Sequence, residues 1–300
     1  MSAAEAGTGL PVQHPRDDAA LPALPRPAGV LAASWRLLRS ELRLILGRRR
    51  NQAGLVVLAA VPVIIAIAIR ASGTDDGGEG LISSVTSNGI FVALTALTVE
   101  LALFLPLAVA VLSGDSIAGE ANLGTLRGLL TVPVSRARLL AVKYAALVVG
   151  ALIGVLVVAG TGLLVGGALL GLGPTTLLSG TQISLAEALL RLGIVVAYLT
   201  VGLAGLAAIG LFISTLTEQP IAAMITTTVV ATGMWILNAI PQIAWLHPWL
   251  LVNRWQAFAD AFRDPVFWDT MRTGLLVDLG YAVVFGALAW ARFGTKDVTS

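Results

Sequence analysis

Apolar residues gather into six long stretches, near 54–69, 90–112, 142–170, 188–214, 220–240 and 275–291, separated by shorter polar or turn-rich segments. A helix needs roughly 17 to 25 residues to cross the hydrocarbon core of a bilayer, so each stretch predicts one span. The first is short and carries Pro62, whereas the third and fourth are long enough to tilt or to run beyond the membrane. Ahead of them, Leu31, Trp35, Leu38, Leu42 and Leu46 fall three or four apart, with Arg36, Arg39 and Arg43 on an adjacent face. This spacing predicts an amphipathic helix over Val30–Leu46, ending near Gly47 and followed by Arg48, Arg49 and Arg50. Such a helix suits the membrane surface, arginines toward phosphate; the competing placement, packed on a soluble core, lacks a soluble domain to receive it. Residues 1–29 hold five prolines and no apolar stripe, which predicts a disordered tail. The basic start and apolar core of a signal peptide are both missing before residue 30, so the tail is expected to stay cytoplasmic.

The polar interruption Ser113–Lys143 is long enough to fold. It holds Asp115 and Glu120, then Gly124-Thr125, an apolar run stopped by Pro133, and the basic Arg136, Arg138 and Lys143. A short helix is expected over Thr125–Thr131, with Leu126, Leu129 and Leu130 on one side and Arg127 exposed. A helix this short is unstable alone. It must pack on a partner's apolar groove or on the membrane interface, and both readings stay open. Pro241–Gly274 carries Trp245, Trp249, Trp255 and Trp268 among phenylalanines. It reads either as an ordinary interfacial aromatic belt or as a lid over a pathway.

Composition agrees with this pattern. Apolar residues make up 57% and charged residues 12% of the 300, against about 25% charged in soluble domains, and mean hydropathy is +0.88. Fourteen of the 19 Lys and Arg fall on the side of both termini and the Ser113–Lys143 loop. The other side receives Arg70, Arg191, Arg254, Arg263 and Arg272. The positive-inside rule then places both termini and that loop in the cytoplasm. The net charge of +2 does not indicate nucleic acid, because the arginines flank apolar segments and form no continuous basic face.

The chemistry is narrow. Without cysteine there is no disulfide, thiolate metal site or cysteine nucleophile. The two histidines, His14 and His247, lie in the tail and the outer stretch, and P-loop, G-x-S-x-G and H-E-x-x-H motifs are all lacking. No catalytic residue and no resident metal or cofactor is expected; any nucleotide would be bound by a partner. Two acids lie in or near the membrane. Glu100, midway along the second span, must face the protein interior, either as a proton relay or cation site or in a structural hydrogen bond to a Ser or Thr. Asp278 is expected as a structural cap near the outer end of the sixth span. Glycines four apart in the third span, Gly150/Gly154, Gly162/Gly166 and Gly167/Gly171, allow close helix approach within the subunit or at a dimer face.

At Gly119-Glu120, Gly124-Thr125-Leu126, Leu129-Leu130, Pro133-Val134-Ser135-Arg136 and Leu139–Lys143, the chain resembles the type 2 ATP-binding-cassette (ABC) exporter permeases. The branch is the one grouped with permeases for multicopper-enzyme maturation. Trp35 with Arg48–Arg50 is similar to that family's elbow helix, Ser214–Gln219 to its tight inner turn, and Phe293–Val298 to its ending. The resemblance covers residues 30–300 and implies an all-α membrane protein. Its parts would be six transmembrane helices, an N-terminal elbow helix and a cytoplasmic coupling helix between spans two and three. It further implies a second permease subunit in the cell membrane and a separate cytoplasmic ATPase that binds ATP and Mg. The docking surface on that ATPase would be Glu120, Gly124, Thr125, Leu126, Arg127, Leu129, Leu130, Pro133, Ser135 and Arg136. Glu100, Thr226, Thr227, Thr228 and Asn238 would line the pathway. A proton-coupled secondary transporter using Glu100, and a non-transporting membrane scaffold, are the alternatives.

Because the chain has no cysteine, orientation is directly testable. A single Cys at Asp76 should react with a membrane-impermeant maleimide in intact cells, and one at Ser135 only after permeabilisation.

Overall fold

The computed structural model describes residues 30–71, 88–124, 135–177 and 179–295. Helix α1 (Val30–Gly47) meets α2 (Arg49–Ala71) at a sharp corner. There Asn51 Nδ2 donates to the Ile45 carbonyl and Gln52 Nε2 to the Leu46 carbonyl, at 2.8 and 3.0 Å. The first turn of one helix thus satisfies the orphan carbonyls that end the other. Pro62 lies inside α2 without ending it.

The expected second span, 90–112, is not one helix. It is split into α3 (Gly89–Leu101) and α4 (Phe104–Gly114), with the break at Ala102 and Leu103. Pro106 explains the position: it has no amide to donate four residues back, and its ring crowds the Ala102 carbonyl. Beyond Gly114 the chain makes one π-helical turn, Asp115–Gly119, and a short helical end, Glu120–Asn122. Gly124 then adopts φ 69°, a left-handed conformation, and its amide returns to the Ala121 carbonyl at 3.1 Å. Gly124 therefore closes the preceding helix.

Helix α5 (Arg136–Leu170) begins at Ser135, whose hydroxyl accepts from the Arg138 amide. At 35 residues it is about 52 Å long, well beyond the hydrocarbon thickness. A two-residue antiparallel pairing, β1 (Thr175–Thr176) with β2 (Gln182–Ile183), leads to α6 (Leu185–Leu216). Because α6 includes Ser214–Leu216, the inner turn is shorter than expected, comprising Thr217–Gln219 before α7 (Pro220–Asn238). Three 3-10 segments, Pro241–Ile243, His247–Trp249 and Leu251–Phe262, precede α8 (Trp268–Thr295). Among the described residues, six helices are long and apolar enough to cross a membrane: α2, Phe104–Asn122, α5, α6, α7 and α8. The protein is a helical, multi-pass membrane protein.

Helix α6 is the hub. In its most apolar window 72% of residues are buried, against 17% in α2, α7 and α8, and it packs against α4, α5, α7, α8 and the Leu251–Phe262 segment. The third span's glycines serve internal packing. A Cβ on Gly162 would sit 2.6 Å from Ala93 Cα, and one on Gly166 2.8 Å from Gly89 Cα, so α3 and α5 touch backbone to backbone. Gly160, by contrast, has nothing within 4 Å. Replacing Gly162 with Val should cost about 1–3 kcal/mol by overpacking and lower the thermal unfolding temperature in detergent, while Gly160→Val should leave it nearly unchanged.

Candidate functional site

Four of the six ion pairs found among the described residues lie at the end of the bundle where α4 stops and α5 starts. Lys143, two turns into α5, is 2% exposed. Its Nζ donates to Glu120 Oε1 at 2.6 Å and to Glu41 Oε1 at 3.2 Å. An isolated ammonium at that burial would be strongly destabilising, and the two carboxylates offset the desolvation. Beside this triad, Asp115 Oδ2 accepts from both Arg48 and Arg50 at the α1–α2 corner. A polar cavity of about 30 Å³ lies between Glu41, Arg48, Asp115, Glu120 and Lys143, roughly the share of liquid volume of one water.

Local structure places these groups. Glu41 is the one acid in α1, and it falls on the inward face with Leu37, Leu38 and Ile45. The π turn leaves irregular amides, and buried Ser214 of α6 takes two of them. Its Oγ accepts from Ile117 N at 3.2 Å and Ala118 N at 2.9 Å, and donates to the Gly114 carbonyl at 3.1 Å. The start of α5 is anchored twice more. Arg138 Nε donates to Ser34 Oγ of α1 at 2.8 Å, and Arg136 Nη1 to the Gly294 carbonyl of α8 at 3.0 Å.

Of the expected docking residues, the structure brings Glu120 into the ion network and sets Ser135 and Arg136 at the mouth of α5. Gly124 terminates the other side of the gap. Thr125, Leu126, Arg127, Leu129, Leu130 and Pro133, with the expected helix Thr125–Thr131, lie outside the described residues. Ser214 was legible only as a turn residue, and the pairing of Glu41 with Lys143 had one signal: a lone acid on the apolar face of an arginine-rich helix.

The expected pathway residues do not form one cluster. Glu100 is fully buried in the last turn of α3, and neither carboxylate oxygen has a hydrogen-bond partner among the described residues. The Ser or Thr bond foreseen for it is not made. Thr227 is buried beside Ser113 and Gly210, far along the second span from Glu100, and its hydroxyl donates to the Ala223 carbonyl at 2.8 Å. Thr228 does the same to Met224, Thr226 is exposed, and Asn238 is half-buried at the end of α7.

The other end of the bundle is closed by Leu251–Phe262. Arg191 Nη1 donates to the Arg263 carbonyl at 2.7 Å, Tyr198 to the Arg254 carbonyl at 2.5 Å and Tyr281 to the Trp249 carbonyl at 2.9 Å. The aromatic residues divide. Trp255, Phe258 and Phe262 are buried as a plug, whereas Trp245, Trp249, Phe267 and Trp268 are exposed. Asp278 does not cap a helix. It is buried ten residues into α8, and its Oδ2 and the Trp255 Nε1 lie 3.3 and 2.7 Å from where a Cβ on Gly202 would be. Glycine leaves the room in which they face each other.

A family model described as a protein of unknown function, DUF2705, matches residues 63–299, from within α2 to the end of α8 and beyond. No curated protein matches the chain. The match takes in Glu120 and Lys143 but stops short of Glu41 and the arginine corner.

Lys143→Met should leave Glu41 and Glu120 facing each other without the ammonium between them and cost about 3–5 kcal/mol. The triple change Glu41→Gln, Lys143→Met and Glu120→Gln should recover much of that loss. Thermal unfolding of the purified variants in one detergent checks both.

Proposed function

The chain belongs to the DUF2705 family, and we propose that it is the transmembrane permease subunit of an ABC exporter. On this reading a separate cytoplasmic ATPase binds ATP and Mg, and two permease subunits, identical or not, enclose the pathway. The observation that carries the proposal is the Glu41–Lys143–Glu120 triad. Its members join the amphipathic α1 to the two described edges of the 125–134 segment, Glu120 before it and Lys143 after it. A push on the proposed coupling helix, Thr125–Thr131, is then delivered to α4, α5 and α1 together rather than absorbed by a loop.

The mechanism follows from the rigid and weak points of the bundle. The π turn bonded to Ser214 passes the displacement into the hub helix α6. The break at Ala102 and Leu103 lets α4 move against α3, which is held backbone to backbone on α5. The Leu251–Phe262 plug would close the far end and release when Arg191, Tyr198 and Tyr281 give up the Arg263, Arg254 and Trp249 carbonyls in and beside it. Alternating access in the export direction results, with no catalytic group in this chain.

Glu100 supports a second reading, proton-coupled secondary transport, because it is a fully buried carboxyl with no hydrogen-bond partner among the described residues. One pair of measurements separates the two. For the permease, gentle affinity purification should recover a stoichiometric ATPase, and Arg127→Glu or Leu130→Asp should release it. Recovery of no ATPase, together with uptake driven by an imposed pH gradient in ATP-depleted vesicles and abolished by Glu100→Gln, would overturn the permease reading.

A further inference from the structure

Between the α1–α2 corner, α4 and the first half of α5 lies a second cavity, a crevice of about 280 Å³. Its walls are apolar, with Leu55 and Leu58 from α2, Leu107 and Val111 from α4, and Ile153 from α5. Three glycines deepen it. Gly54 has nothing within 4 Å of its would-be Cβ, and Gly150 and Gly154 lie where a side chain would meet Leu112, or Leu105 and Leu58. Polar residues enter only at the mouth, as Arg50 and Asn51. Asn51 is already engaged in holding the corner through the Ile45 carbonyl.

The mouth is positively charged. Arg48 and Arg50 share the single carboxylate of Asp115. Arg49 between them is exposed and has no ion pair among the described residues, as is true of Arg39 and Arg43 on α1. The buried Glu41–Lys143–Glu120 triad has one surplus negative charge, which these exposed arginines outweigh. An occupant must therefore place an anionic group at the mouth and a long apolar portion along the crevice. We propose that the crevice is a binding site for an anionic phospholipid, one acyl chain lying over Gly54, Gly150 and Gly154 and the phosphate meeting Arg50. In a bilayer such lipids are the amphiphiles present at highest local concentration, and basic pockets between spans select their headgroups. The site requires only that the chain sits in a membrane; it is independent of the transport reading and of any ATPase.

The test uses the full chain alone in lipid nanodiscs, with trace phosphatidylglycerol or phosphatidylcholine carrying a diazirine in one acyl chain. After photolysis, labelled positions are mapped by mass spectrometry. Labelling within 54–58, 104–112 and 150–154 should be at least about 5-fold stronger from phosphatidylglycerol, the preference expected from about one arginine contact. Arg50→Gln should reduce that ratio. Gly54→Phe, which enters open space, should cut crevice labelling several-fold yet spare the exposed Val283 and Val284 face of α8. Equal labelling by the two lipids, or crevice labelling no stronger than on that α8 face, would overturn the proposal. The wild-type comparison decides this even if Gly54→Phe fails to fold.

Discussion

A lysine with almost no exposure is the constraint on which one end of this protein depends. Lys143 sits in α5, its partners in α1 and at the end of α4, and Glu41 lies 102 residues away in the chain. Removing its charge from water is tolerable only while both carboxylates stay within bonding distance. The amphipathic α1 therefore cannot drift over the membrane surface independently of the spans. Asp115 with Arg48 and Arg50, Ser34 with Arg138, and Arg136 with the end of α8 repeat the tie in parallel.

The bundle above that end is held by close backbone approach. Lipid tails offer helices no hydrophobic reason to associate, so small residues and van der Waals contact must do it. Gly89, Gly162 and Gly166 bring α3 onto α5, and Gly210 sets α6 against Ser113. Pro106 interrupts this regularity. The second span is packed backbone to backbone on one side of the break and, on the other, runs into a π turn held by Ser214 and by the pairing of Asp115 with Arg48 and Arg50. Two differently supported halves of one span give a bundle a place to bend without melting.

The two ends are built on different chemistry. One is tied chiefly by ion pairs between side chains, the other chiefly by side chains that donate to backbone carbonyls in and beside the Leu251–Phe262 segment. Carbonyl-directed bonds ask only that the segment be near, so a plug held this way can lift as a unit. Between the ends lie Glu100 and Asp278, buried acids with carboxylate oxygens lacking hydrogen-bond partners among the described residues. Such groups cost stability in any apolar surrounding.

Much of this was legible in the residue pattern. The spans, the amphipathic α1, the serine that caps α5 and the proline that opens α7 all depend on neighbours within a turn of helix, and spacing reports that directly. The arginine cluster and Glu120 could be singled out for the same reason. The partners could not. Which acid meets Lys143, which glycines meet which helix, and which aromatic residues turn inward depend on groups from about twenty to about a hundred residues distant. Even the break in the second span, which Pro106 makes intelligible, competes with Pro62, which leaves α2 unbroken. Local hydrophobic periodicity determined the helices of this protein; only tertiary packing, by deciding which buried charges share a cavity, determined how its ends are held.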